Sequence, residues 1–297
     1  AGYNVRKLKF SDDHPSASLW RRWLQPLESV RETSSPPLDV GSLETAIEPV
    51  ISSTEAKFRK AMLETMKTAL SSARQTLASE FETQNDGAVY VGRHAWIMDL
   101  LIGFIVTQAG RRFGLDGKKH RMAVVAVGGY GRGELAPFSD VDILFLMSET
   151  QAPAIEKTIE FSLYLLWDLG LKVGHATRTV RETVDTARAD QTVLTGLLEM
   201  RKISGHQQLY GQLENAVAAI ITKTKASDFV EQKLTERDQR HARLGATRYV
   251  VEPNIKEGKG GLRDLHTLFW IAKFAYRTNN VLDLVDQIVL RDSEARR

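Results

Sequence analysis

The chain contains no cysteine. Disulfides and thiolate metal sites are therefore excluded, and a reducing compartment is compatible with the composition. It has no charge excess of either sign: 40 basic and 37 acidic residues leave a net charge of +3. That balance gives no electrostatic footprint for nucleic acid. The first residues, AGYNVRKLKF, hold no apolar h-region and no initiator Met, so no secretory signal is expected and a processed or cut end is. No run of apolar residues reaches membrane length. The most apolar window, Trp96 to Val106, is interrupted by Asp99 and reads as a buried helix. There is no internal repeat. The expectation is a cytoplasmic protein that meets neither membrane nor nucleic acid.

What is present suits a globular protein. The chain has 297 residues, 42% hydrophobic and 26% charged, enough for one large or two ordinary domains. Residues 1–40 are irregular, with a breaker at Ser34-Ser35-Pro36-Pro37. Trp20, Trp23, Leu24 and Leu27 can share one short amphipathic segment. From Ser42 to about Glu82, Ile47, Val50, Ile51, Met62, Met66 and Leu70 recur at helical steps. Asn85-Asp86-Gly87 signals a turn. A second helix is predicted from about Arg93 to Phe113. Strands are predicted over 122–127, 140–147 and Lys172 to Thr177, with a helix from about Pro153 to Leu169 closed by Gly170. Helices are then predicted over Val180–Arg188, Thr192–Ile203, Gln207–Lys225 and Asp228–Leu244. A last helix opens at Arg263 and runs to Tyr276.

The chemistry concentrates in MAVVAVGGYGRGELAPFSDVDILFLM, Met122 to Met147. A valine-rich run ends at Gly128 and Gly129, where backbone N–H groups can approach a phosphate closely. After a polar loop, Asp140 and Asp142 stand two apart on a strand, so their side chains share a face. Two neighbouring carboxylates repel unless a cation sits between them. Hard oxygen ligands of this kind suit Mg²⁺, which completes its shell with waters and substrate phosphates. A glycine turn delivering phosphates to such a pair is the outline of nucleotidyl transfer. The Walker pattern is ruled out because Gly133 is followed by Glu134 and Leu135. The dinucleotide fingerprint fails at Glu134 as well.

The spacing of Gly128-Gly129, ten residues (130 to 139) and Asp140-Val141-Asp142 resembles the signature of the DNA polymerase β-like nucleotidyltransferase superfamily. The fuller string GGYGRGELAPFSDVDILFL resembles a narrower family, the uridylyltransferases of the PII nitrogen-signalling protein. A second stretch, VEPNIKEGKGGLRDLHTLFW, resembles that family's second signature. The likeness runs from about Met122 to Arg277. It implies an α/β fold: a polymerase β-like nucleotidyltransferase core, a mixed sheet with flanking helices, embedded in N- and C-terminal helical segments. The expected division is an arm and helical segment over 1–90, the core over 91–185, and a helical nucleotide- or substrate-binding region over 186–297.

By that resemblance Asp140 and Asp142 hold Mg²⁺ and, through it, the triphosphate of UTP. Gly128 and Gly129 cradle phosphates, and Arg132 neutralises one. Ser139 touches a phosphate or caps the strand entry. Glu134 orients Arg132 or forms a structural ion pair. The superfamily usually adds a third carboxylate from a later strand, but Gly174 and His175 stand there. Asp190 or Glu199 is the alternative third ligand, and His175 is considered as general base. Asn254, Lys256, Gly260, Gly261 and Arg263, with Glu257, Lys259 and Asp264, form a second cluster. Its glycines, basic residues and helix start suit an anion, and its bland alternative is a charged surface loop. The implied reaction moves UMP from UTP to a tyrosine hydroxyl of PII and releases pyrophosphate. In the family, a phosphohydrolase domain and glutamine-sensing domains follow, so this chain is expected to be an N-terminal piece, with glutamine acting only through domains it lacks. The alternatives are an adenylyltransferase of glutamine synthetase and a non-catalytic nucleotide-binding module.

Overall fold

A computed structural model of the chain describes residues 26–115, 121–149, 152–243 and 254–276. The described residues fall into two compact units by their internal packing, one within residues 15–216 and one within residues 217–297. Trp20, Trp23, Leu24, Arg277 and the Val-Glu-Pro at 251–253 lie outside the described residues.

The larger unit begins with α1 (Pro26–Thr33) and α2 (Val40–Ile47). Two long helices follow, α3 (Glu55–Gln84) and α4 (Gly87–Phe113). Asn85, with φ +51°, and Asp86, whose side chain accepts from the Val89 N–H, make the turn between them. This is Asx chemistry at a helix start. On α3 the buried residues Phe58, Met62, Met66, Leu70, Ala73 and Leu77 form one stripe. The methionines of that stripe are core. By length and composition α4 could cross a membrane, but 67% of its apolar window is buried inside the protein. It is a core helix, as the sequence suggests. Its start, at Gly87, is six residues earlier than Arg93.

Four strands make one mixed sheet in the order β3-β2-β1-β4. They are β1 (Met122–Ala126), β2 (Val141–Met147), β3 (Val173–Thr179) and β4 (Arg201–Gly205). β1 runs antiparallel to β2 and β4, and β2 runs parallel to β3. The parallel pair is joined by α5 (Pro153–Asp168), as a crossover requires. After β3 come α6 (Val180–Ala189), opened by a capping box of Thr179 and Glu182, and α7 (Gln191–Leu197).

One expectation is corrected here. The helix predicted over Thr192–Ile203 stops at Leu197, and Arg201–Gly205 is a strand on the edge of the sheet. RKISG has little strand propensity. Its strand state comes from pairing with β1, with a register shift at Val124/Val125. Gly205 takes φ +90° and lies so close to the Met122 carbonyl that a Cβ would not fit.

The chain then enters α8 (Gln207–Lys223). The described part of the smaller unit contains α9 (Ala226–Arg243) and α10 (Leu262–Tyr276). Phe229 and Phe274 stack at 4.0 Å between these two helices.

Candidate active site

The β1–β2 pairing brings the glycine pair to the carboxylates. Ala126 faces Ile143 across the ladder, and the Val127 N–H donates to the Asp142 carbonyl at 3.1 Å. Gly128 therefore emerges beside Asp142. A Cβ on Gly128 would sit 3.5 Å from Asp142 Oδ2, and its φ of +59° favours glycine independently. Gly128–Gly131 forms a single helical turn. Asp142 is half-buried, and Asp140 is exposed at the mouth of β2. Burial raises the Asp142 carboxyl above its ordinary range, and the neighbouring Asp140 charge raises it further. Alternation on β2 buries Val141, Ile143 and Phe145 on the other face.

Gly174 explains why no acid occupies the expected position on β3. It pairs directly with Asp142 in the parallel ladder. A Cβ there would collide with Asp142 Oδ1. Glycine keeps that carboxylate in place. His175 is in register with Ile143, and its ring meets Trp167 edge-on at 5.8 Å. It lies on the sheet face opposite Asp142, which removes it as a base at this site. Asp190 caps α7 by accepting from the Thr192 N–H at 2.7 Å. Glu199 is buried, with its backbone carbonyl pressed against Gly131. Among the described residues no group of three or more His, Cys, Asp or Glu is placed to hold a metal.

Arg132 lies beside Gly129, whose Cβ would come 3.6 Å from its guanidinium. Glu134 accepts from Arg132 Nε at 2.9 Å, so the ion pair weighed from sequence is formed. Ser139 is exposed, and its N–H donates to the Ala136 carbonyl at 3.2 Å. Sequence reasoning missed Phe138, which is 94% exposed with φ +63°. A non-glycine residue in that region is uncommon, but an isolated Phe in a polar loop gives no periodic signal.

The helices hold this loop from behind. The Leu135 N–H donates to the Val91 carbonyl, and His94 Nδ1 meets the Leu135 carbonyl at 2.9 Å. Burial pulls the His94 imidazole below its ordinary range, partly offset by that carbonyl contact. A Cβ on Gly133 would sit 2.5 Å from Leu27 Cβ of α1. Asp99, buried in α4, accepts from Tyr130 Oη at 2.7 Å and from Arg31 and Arg201, each at 2.6 Å.

The second cluster lies in the smaller unit. Asn254 Oδ1 accepts from the N–H groups of Lys256 and Glu257, at 3.0 and 2.8 Å. Gly258 and Gly261 pack against the Asn254 and Ile255 carbonyls, where Cβ atoms would come to 2.6 and 2.5 Å. Gly260 needs φ +76°. These residues account for the fold of the loop itself. Arg263 reaches Glu257 at 3.4 Å, and Lys256 is exposed. Asp264 is the anchor: it accepts from Arg240, from His241 Nε2 at 3.0 Å and from the Gly260 N–H at 2.7 Å. Burial opposes its charge, but these donors prevail and hold its carboxyl below the usual range. Arg237, His241, Lys259 and Gly260 line an open pocket of about 610 Å³ beside it.

A mixed four-stranded sheet with flanking helices, carrying paired carboxylates beside a glycine turn, defines a nucleotidyltransferase core. Residues 115–189 match the nucleotidyltransferase domain family. Residues 228–297 match the GlnD PII-uridylyltransferase family. Over 241 residues the chain is 46% identical to a bifunctional uridylyltransferase/uridylyl-removing enzyme of Rhodospirillum rubrum, covering 78% of this chain and 25% of that protein. Over the matched residues the chain is therefore similar to nucleotidyltransferases and, among them, to the PII uridylyltransferases. It spans about a quarter of the length of that curated relative.

Proposed function

We propose that this chain transfers a uridylyl group from UTP to a tyrosine hydroxyl of the PII protein and releases pyrophosphate. The observation that carries the reading is Asp142 with Asp140 near enough for its charge to act on the Asp142 carboxyl, and glycine at both positions, 128 and 174, that crowd that carboxylate. The 46% identity to a uridylyltransferase supports the choice of donor and acceptor.

The residues fit a divalent cation. Asp142 is held half-buried against a second carboxylate, an arrangement that favours a cation between them. Mg²⁺ held by Asp140 and Asp142 would neutralise charge on the triphosphate and the α-phosphoryl group. The chain's own groups do the positioning. N–H groups at Gly128 and Gly129 receive phosphate oxygens. Arg132, oriented by Glu134, adds a guanidinium beside Gly129. Ser139 and the exposed Asp140 lie on the open side, where an acceptor hydroxyl can enter. In the reaction the tyrosine oxygen bonds to the α-phosphorus, the bond from that phosphorus to the bridging oxygen breaks, and pyrophosphate departs. The hydroxyl proton is released to solvent or to a phosphate oxygen. Asn254, Lys256, Gly260, Gly261 and Arg263 are proposed as a second nucleotide-contacting group; exposed Lys256 and half-exposed Arg263 supply its charge.

Calorimetric titration with UTP, ATP, CTP and GTP in the presence of Mg²⁺ tests the nucleotide assignment. UTP is expected to bind most tightly. Preference for ATP would return the reading to adenylyl transfer.

A further inference from the structure

A densely bonded polar group lies behind the glycine turn rather than in front of it. Arg201, the first residue of β4, spreads its guanidinium over two kinds of acceptor. Its Nε donates to the Gly131 carbonyl at 3.2 Å, and one terminal nitrogen donates to the Tyr130 carbonyl at 3.1 Å. The same fork grips Asp99 at 2.6 and 3.1 Å. Asp99 has 4% of its side chain exposed and Arg201 15%. Asp99 also accepts the Tyr130 phenol and the Arg31 guanidinium. The guanidinium lies 5.5 Å from the centre of the Tyr130 ring.

We propose that Arg201, fixed by Asp99, is a positioning residue for the phosphate-binding glycine turn. Buried ion pairs seldom add stability over an apolar replacement, so this arrangement calls for another reason. A one-turn helix is weakly held by its own bonds, because nucleation is unfavourable. The N–H groups of Arg132, Glu134 and Gly133 donate to the carbonyls of Gly128, Gly129 and Tyr130; from β4, Arg201 adds a second donor to Tyr130 and a donor to Gly131, and Asp99 holds Arg201 from α4. The turn is therefore clamped between a strand and a helix on either side of it. Four helical residues span only about 6 Å, so a shift at Tyr130 and Gly131 moves Gly128 and Gly129. Lysine carries the charge but lacks the planar fork, and it cannot serve Asp99 and both carbonyls together. The inference rests on the functional reading above, in which Gly128 and Gly129 receive the triphosphate.

The test uses the full chain, with Arg201→Lys compared against Leu70→Ala. Leu70 is buried in α3 and serves as a control for lost stability alone. Melting temperature, Mg-UTP affinity by calorimetry and initial rates against UTP are measured for each. Arg201→Lys should raise the UTP dissociation constant and KM tenfold or more and lower kcat. Leu70→Ala should lose at least as much melting temperature while holding UTP affinity within twofold. Should Arg201→Lys fail to fold, Asp99→Asn, which leaves Arg201 without its counter-charge, carries the same expectation. A folded variant with UTP affinity within twofold of wild type would overturn the positioning role. So would failure of both variants to fold, or losses of affinity that merely track melting temperature across all variants. Wild-type protein that binds no nucleoside triphosphate overturns the functional reading itself, and this inference with it. The two failures are therefore distinguishable.

Discussion

A half-buried carboxylate beside a second carboxylate is held at a cost. The Asp142 carboxyl is raised by burial and by Asp140. A raised folded value means the favourable contribution is present below the unfolded value of 3.8 and is lost as pH rises through the folded one. At neutral pH the metal-free protein therefore carries repulsion that a cation relieves. Asp142→Asn should raise the melting temperature of the metal-free protein slightly, by roughly 1–3 °C, because solvent screens the open side. The same variant should lose transfer activity roughly a thousandfold or more. Paired thermal melts and rates decide it, and a lower melting temperature would remove the repulsion from the account. Gly174→Ala addresses the same carboxylate from β3. Its Cβ displaces Asp142 Oδ1, and a displacement of about 1 Å at a reacting centre costs on the order of a hundredfold. The rate should fall about that far while the fold survives, as read by circular dichroism; an unchanged rate would show that Asp142 tolerates the shift.

At the scale of elements, the loop from 128 to 140 is held by helices that carry no chemistry of their own. His94 illustrates this, since burial lowers its pKa and its ring meets the Leu135 carbonyl. A depressed folded value gives stability that is present above the unfolded value of 6.5 and lost as pH falls through the folded one. The urea midpoint of wild type should therefore drop more between about pH 7.5 and about pH 5.5, a range that brackets an ordinary imidazole, than that of His94→Gln. Equal slopes would contradict it. In the smaller unit, Asp264 gathers Arg240, His241 and the Gly260 N–H. Asp264→Asn should cost about 2 kcal/mol. Hydrogen exchange of α9 and α10 should accelerate, and unchanged protection would contradict the anchor.

These elements also show what was legible. β1, β2 and α5 are written in apolar runs and in Pro153, and their ends fall within a residue or so of expectation. β4 is not, because RKISG becomes a strand only by pairing with β1 across the fold. Asp99 reads in sequence as an interruption of an apolar helix. Its meaning depends on Tyr130, Arg31 and Arg201, which lie 31, 68 and 102 residues away. Gly174 reads as a missing acid until the parallel register sets it against Asp142.

For the whole molecule, the central claim is that one carboxylate pair and one glycine turn make a uridylyl-transfer site. The string from Met122 to Met147 carries that claim in sequence because its parts are local: one strand, one turn, one strand. The partition of the described residues at 216/217 follows from packing and has no local mark. The most direct test follows the mass of PII after incubation with this protein, UTP and Mg²⁺, in parallel with Asp140→Asn/Asp142→Asn protein shown to be folded. The account predicts that wild type adds one uridylyl group per PII chain, with one pyrophosphate released for each, and that the double variant adds none. Uridylylation by the folded double variant at the wild-type rate would contradict it.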